Sequence, residues 1–267
     1  MKLQDNIRIA INSTAYYILS YLFVFIVHQS ATILASFFFD YNIQVDYSKI
    51  IFMVSRYDWY FDSVKIIFSA GPLVCLILSI FMIVVAYRYK EFNGSLKLFF
   101  LWGFVHSISI FLGSAYAGAL LGEGFGHVLI WMFMPDTGKL IITLISLFLL
   151  AAAGFALTRN FLLSGNIYYN LLETKNRFAF VVFQVILPFI IGSLIIVAIR
   201  YPVNLYELLR ILTPVFIILT VLLSSFGFSV LYFDENPRTI KINGSLVAAA
   251  VIIYVVYRIA LHFPVSI

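Results

Sequence analysis

Cysteine is almost absent. Cys75 is the only one in 267 residues, which excludes an intramolecular disulfide and any zinc knuckle built from several cysteines. Charge is scarce as well: Asp, Glu, Lys and Arg make up 11% of the chain, against about 25% in a soluble domain. With 63% hydrophobic residues and a mean hydropathy of +1.03, the sequence reads as a polytopic membrane protein and excludes a soluble globular domain. The 17 basic residues outnumber the 12 acidic ones, for a formal net charge of +5. They are scattered over short connections, so they form no nucleic-acid patch and read as charges flanking membrane spans. The first residues, MKLQDNIRIAINST, are polar and lack the short apolar core and small-residue cleavage site of a secretory signal.

What the chain has in abundance is long apolar runs. A bilayer crossing takes about 20 apolar residues in a row, and seven segments qualify: 13–39, 66–87, 98–121, 140–158, 178–199, 208–233 and 246–263. An eighth apolar piece, 125–134, is too short to cross and predicts a re-entrant segment after the third span. The connection 40–65 alternates polar and apolar at Asn42-Ile43-Gln44-Val45-Asp46 and is rich in aromatic and β-branched residues. That pattern predicts a small β-hairpin at the membrane surface, with Tyr57, Trp59, Tyr60 and Phe61 suited to the interfacial zone. The expected architecture is therefore all-α, with about seven transmembrane helices, a hairpin after the first and a re-entrant piece after the third. Polar residues at 159–177 suggest a surface loop separating a membrane core, 1–158, from a C-terminal three-helix membrane segment, 178–267. In that last segment Gln184 is the one strongly polar residue expected deep in a span.

Ionisable groups inside such spans are costly, by a few kcal/mol or more each, and mark functional sites by default. His28 lies inside the first run and His106 inside the third, with Glu123 and His127 at the third run's edge. If helical, Glu123 and His127 share a face; with His28 and His106 they offer a His/Glu set of the right size for zinc. The plainer alternative is that each histidine bonds a neighbouring helix and that Glu123 and His127 satisfy one another without an ion. Gly118, Gly122 and Gly126 form a small-residue ladder that permits close helix approach. Pro72, Pro188 and Pro214 predict kinks whose freed carbonyls need partners, and Asn93-Gly94 and Asn243-Gly244 read as turns. The 28 Phe and 17 Tyr read as packing and interfacial anchoring.

Order and spacing carry a resemblance. The first span contains Val27-His28-Gln29-Ser30-Ala31-Thr32, the strand-like connection follows, the second span holds Ser69-Ala70-Gly71-Pro72-Leu73-Val74-Cys75, and Leu120-Leu121-Gly122-Glu123-Gly124 comes about fifty residues later. Over residues 20–135 this layout resembles the site-2 protease family of intramembrane zinc metalloproteases. That family has an H-E-x-x-H helix, a strand-bearing loop, a helix opening A-G-P-x-x-N and a later L-D-G motif. The resemblance implies zinc held by the two histidines and the aspartate, with the glutamate as general base. Here Gln29 stands at the glutamate, Thr32 at the second histidine, Cys75 at the asparagine, and Glu123 near the aspartate.

A glutamine cannot deprotonate a zinc-bound water, so the layout without its chemistry implies a non-catalytic descendant. The expected role is binding a transmembrane or membrane-proximal partner segment, with His28, Gln29, Thr32, His106, Glu123 and His127 at the binding site and no cofactor required. The setting implied is a secretion, transport or quality-control complex in a bacterial inner membrane, in contact with membrane lipid and a membrane protein partner. Two alternatives stay open: a metal-dependent peptidase using zinc on His28, Glu123 and His127, and a proton- or ion-coupled carrier.

Overall fold

The computed structural model describes residues 3–55, 57–89, 95–233 and 239–266; the Asn93-Gly94 turn signal lies outside them. The chain opens with the long helix α1 (Leu3–Phe37), followed by strands β1 (Ile43–Val45) and β2 (Ile50–Phe52). Helices α2 (Phe61–Arg88), α3 (Leu96–Leu121), the six-residue α4 (Gly126–Trp131) and α5 (Asp136–Leu163) come next. A short strand β3 (Leu171–Leu172) leads into α6 (Thr174–Val181), which runs through a wide π turn into α7 (Leu187–Arg200). Then come α8 (Leu205–Leu212), α9 (Pro214–Ser225), β4 (Leu231–Tyr232), α10 (Gly244–Ala260) and β5 (Val265–Ser266).

Six of these helical stretches are long and apolar enough to cross a bilayer: Leu3–Phe37, Phe61–Arg88, Leu96–Leu121, Asp136–Ile167, Thr174–Arg200 and Leu205–Ser225. The protein is a multi-pass, all-α membrane protein. The seventh expected span, α10, has 17 residues, about 26 Å at 1.5 Å per residue, short of the roughly 30 Å hydrocarbon core. It leans on α1: Asn12 donates to the Lys241 carbonyl (2.9 Å) and accepts from the Asn243 amide (2.9 Å), so the Asn243-Gly244 turn is pinned to the first helix.

The hairpin forms where alternation predicts it. Ile43 pairs with Phe52, Gln44 with Ile51 and Val45 with Ile50, antiparallel. Asp46 closes the turn, its carboxylate accepting from the Ser48 and Lys49 amides at 2.6 and 2.8 Å, the local bond that makes Asp a turn residue. β5 covers the other side of β1, giving the order β2-β1-β5 and leaving β2 at an edge. The Asp46 amide bonds the Lys49 carbonyl and the Met53 amide bonds the Asn42 carbonyl. Backbone groups alternate sides along a strand, so Ile50 and Phe52 turn theirs to the open edge.

α1 runs through the middle of the bundle, packing on α2, α3, α7 and α10, around a core that includes Tyr17, Trp102, Phe161, Phe180 and Ile217. Pro188 cannot donate to the carbonyl four residues back, which belongs to Gln184. Ser13 of α1 supplies the missing donor at 2.7 Å and itself accepts from the Trp102 indole at 3.0 Å. The glycine ladder serves close packing of backbones. A Cβ on Gly118 would lie 2.5 Å from the Gly126 amide nitrogen, and one on Gly126 2.2 Å from the Gly118 carbonyl oxygen. Only glycine lets α4 fold back against α3 backbone to backbone.

Two expectations need correction. Residues 159–177 are not a surface loop: α5 and a 3-10 turn continue to Ile167 and bury Phe161, Leu162, Ser164 and Asn166, with Tyr168 and Leu172 buried beyond them. Arg177 is buried too and donates to the carbonyls of Ser225, Phe228 and Ser229, satisfying the end of α9. Nor is Gln184 the only strongly polar side chain buried after 178. Arg200 and Arg210 are 4% and 6% exposed, and they define the site.

Candidate functional site

α1 presents His28, Gln29 and Thr32 within about one turn, towards α2. The approach is close because Gly71, in Ala70-Gly71-Pro72, lacks a Cβ: one built there would sit 2.6 Å from His28 Nε2 and 2.8 Å from Thr32 Oγ1. Thr32 donates its hydroxyl to the His28 carbonyl at 3.2 Å, so its proton is spent within its own helix. The His28 ring meets α8, where Arg210 Nη2 lies 3.1 Å from Nε2. A guanidinium only donates, so Nε2 accepts and the ring proton sits on Nδ1.

α8 is organised to hold that guanidinium. Asn204 caps its start, accepting from the Glu207 amide at 2.9 Å, the usual use of an N-cap asparagine. One turn on, Glu207 reaches Arg210 Nη1 with Oε1 at 2.7 Å and Arg200 Nη1 with Oε2 at 2.8 Å. Arg200 also donates to the Tyr21 hydroxyl (2.9 Å) and the Ser48 carbonyl (2.7 Å), and lies over the Phe25 ring at 4.3 Å. One carboxylate thus ties two buried cations to α1 and to the hairpin turn. Charged groups survive burial only when paired in this way.

Glu123 is not on a helix. Gly122 and Gly124 take the left-handed conformation, with φ of 71° and 55°, and turn the chain between α3 and α4. Glu123 is exposed and accepts from the Asn204 amide at 3.1 Å. Glu123 and His127 therefore do not share a helical face, and Glu123 does not face His28 from a helix; Glu123 and His28 connect to the α8 region instead, through Asn204 and Arg210. His127 stands on α4 with its ring 4.9 Å from that of Phe68. Partial burial holds its pKa below the usual histidine range, opposed by the Glu123 carboxylate. A cavity of about 280 Å³ is lined by His28, Gln29, Thr32, Glu123 and His127, by Asn204, Glu207 and Arg210 of the α8 region, and by Ile50 and Phe52 of the edge strand.

His106 lies elsewhere. Its Nε2 is 3.1 Å from the Tyr17 carbonyl and its ring packs edge-on against Tyr17, at 4.4 Å, and Tyr21, at 5.4 Å. That is the plain alternative for a membrane histidine, satisfied by a neighbouring helix. Sequence reasoning missed Arg200, Glu207 and Arg210. The signal was available in Asn204-Leu205-Tyr206-Glu207, a cap residue with an acid three positions on, which starts the helix before Leu208 and draws Glu207 into the bundle.

The residues present do not fit zinc. Among the described residues no three His, Cys, Asp or Glu side chains converge on one point. The first-histidine position, His28, directs Nε2 at a guanidinium, so a dication there would face Arg210. Thr32 and Gln29 supply no anionic ligand, and Cys75 is buried against Val24 and Ile110. The chain matches no protein-family model, no curated protein and no solved structure.

Proposed function

We propose that this protein is a non-catalytic membrane subunit that holds an extended transmembrane or membrane-proximal segment of a partner in the cavity beside β2. The setting we infer is a secretion, transport or quality-control complex of a bacterial inner membrane. The observation that carries the reading is the pairing of an open strand edge with a disarmed polar centre. Ile50 and Phe52 line the cavity and turn their backbone donors and acceptors away from β1, as strand addition requires. The residues where a metallopeptidase would keep its metal and base are instead Arg210 on His28, and Gln29. The Gly71 approach to His28 and Thr32 gives the Ala-Gly-Pro stretch a packing reason, since it brings α2 against the cavity residues of α1. The metallopeptidase alternative would have to displace the Arg210 guanidinium first.

A photo-crosslinking residue in place of Phe52 tests this in native membranes, with Phe148, which is 72% exposed on α5, as the comparison site. A discrete protein adduct from position 52, absent from 148 and lost when Ile50→Asp is added, is the expected result. Equal adducts at both positions would sink the proposal.

A further inference from the structure

Next to the cavity, and sharing Phe68 and His127 with it, is a second pocket of about 260 Å³ lined by Trp59, Val64, Phe68, His127 and Trp131. Its walls are aromatic on several sides. Trp59 comes from the segment after the hairpin, Phe68 from α2, and His127 and Trp131 from one face of α4, four residues apart. The Trp59 and Phe68 rings are 5.7 Å apart and Phe68 and His127 4.9 Å, so the faces are braced against each other. The chain has three tryptophans; two line this pocket, while Trp102 is fully buried in the helical core.

Aromatic faces arranged around a pocket attract cations, and quaternary ammonium groups above all. An anion stands near the pocket: Glu123 is exposed, acts on His127 electrostatically, and among the described residues accepts only from the neutral amide of Asn204. Lys49 lines the adjoining cavity with Glu123, and no ion pair to its amine occurs among the described residues. Cation box, carboxylate and free ammonium side chain together match a group carrying both charges. Next to Trp131 in sequence, Ile130, Met132 and Phe133 are 47%, 51% and 92% exposed, apolar surface of the kind acyl chains cover.

We infer that this box binds the headgroup of a zwitterionic phospholipid, its ammonium between Trp59, Phe68, His127 and Trp131 beside Glu123, and its phosphate towards Lys49. The box itself is built from the walls of the second pocket and does not rest on the partner segment proposed above, although Glu123 and Lys49 line the cavity assigned to that segment. It differs from an ordinary interfacial tryptophan belt, in which rings anchor at the headgroup level without enclosing a ligand.

The full chain in nanodiscs of phosphatidylglycerol provides the test, with tryptophan emission as the readout and Trp102 as a constant background. Titration with tetramethylammonium chloride should give a saturable change that sodium chloride at equal ionic strength does not. Nanodiscs containing phosphatidylcholine should show the same change without added salt and should compete with tetramethylammonium. Glu123→Gln and Trp131→Leu should each weaken binding about tenfold, whereas Trp131→Tyr, which keeps an aromatic face, should retain it; thermal unfolding confirms that each variant folds. A saturable tetramethylammonium response that phosphatidylcholine does not compete for would overturn the headgroup assignment. A response that is absent, or indifferent to Glu123→Gln and Trp131→Leu, would overturn the box itself.

Discussion

At the scale of single residues, the polar centre depends on Glu207. Its two oxygens face Arg210 and Arg200, and among the described residues neither cation has another carboxylate. Removing one member of a buried charge network leaves its partners uncompensated, which costs about 3–5 kcal/mol; the 21% exposure of the Glu207 side chain favours the lower end. Glu207→Gln should therefore lower the unfolding temperature in detergent by several degrees, and adding Arg210→Met should recover part of the loss. Unchanged melting in the single variant would mean that water already compensates the arginines. Gly71→Ala tests the packing: its methyl would overlap His28 Nε2 and Thr32 Oγ1, so α1 and α2 must separate or His28 must leave Arg210. The His28 ring resonances of the variant should lose the shift imposed by the guanidinium. His28, Glu123 and His127 were legible in the sequence because ionisable groups stand out in apolar runs, and Gln29 and Thr32 were picked out through the resemblance alone. Arg200, Glu207 and Arg210 were not, since a charge at a span's end looks the same whether it meets water or a neighbouring helix.

Among the elements, the hairpin was the most legible, since alternation of polar with β-branched and aromatic residues is a local signal that the fold does not override. The helix α4 was visible only as a run too short to cross. What places it is the Gly118–Gly126 backbone contact, a tertiary fact that a glycine spacing can permit but cannot specify. Gly126→Val would drive a side chain into the Gly118 carbonyl and should swing α4 away from α3, taking His127 and Trp131 out of their pockets. Spin labels at the exposed positions Leu120 and Ile130 would report the change as a longer, broader distance distribution, with Trp131 emission moving to the red. An unaltered distance would show that α4 is held by its side chains alone. The stretch 159–177 was misread for a related reason: its polar residues bond inside the protein, as Arg177 does with the carbonyls beyond α9, and composition alone does not distinguish that from solvation.

For the whole molecule, the question is whether a protein with this layout performs chemistry or holds something. Peptide hydrolysis at a metal site needs a metal-bound water and a base to take its proton, and losing a positioned base typically costs about 10²–10⁴-fold. Here Gln29 stands where the resemblance would put that base, and Arg210 stands at the nitrogen that would bind the metal. Reversing one of these leaves the other in force, so Gln29→Glu alone should create no activity. The purified protein in nanodiscs, with or without added zinc, should cleave no transmembrane substrate. His28→Ala should instead reduce the yield of the crosslink from position 52, because it frees Arg210 to move and alters the cavity wall opposite β2. Chelator-sensitive cleavage that disappears on substituting His28 or Glu123 would reverse this reading, because it would require Arg210 to withdraw and a metal to take its place.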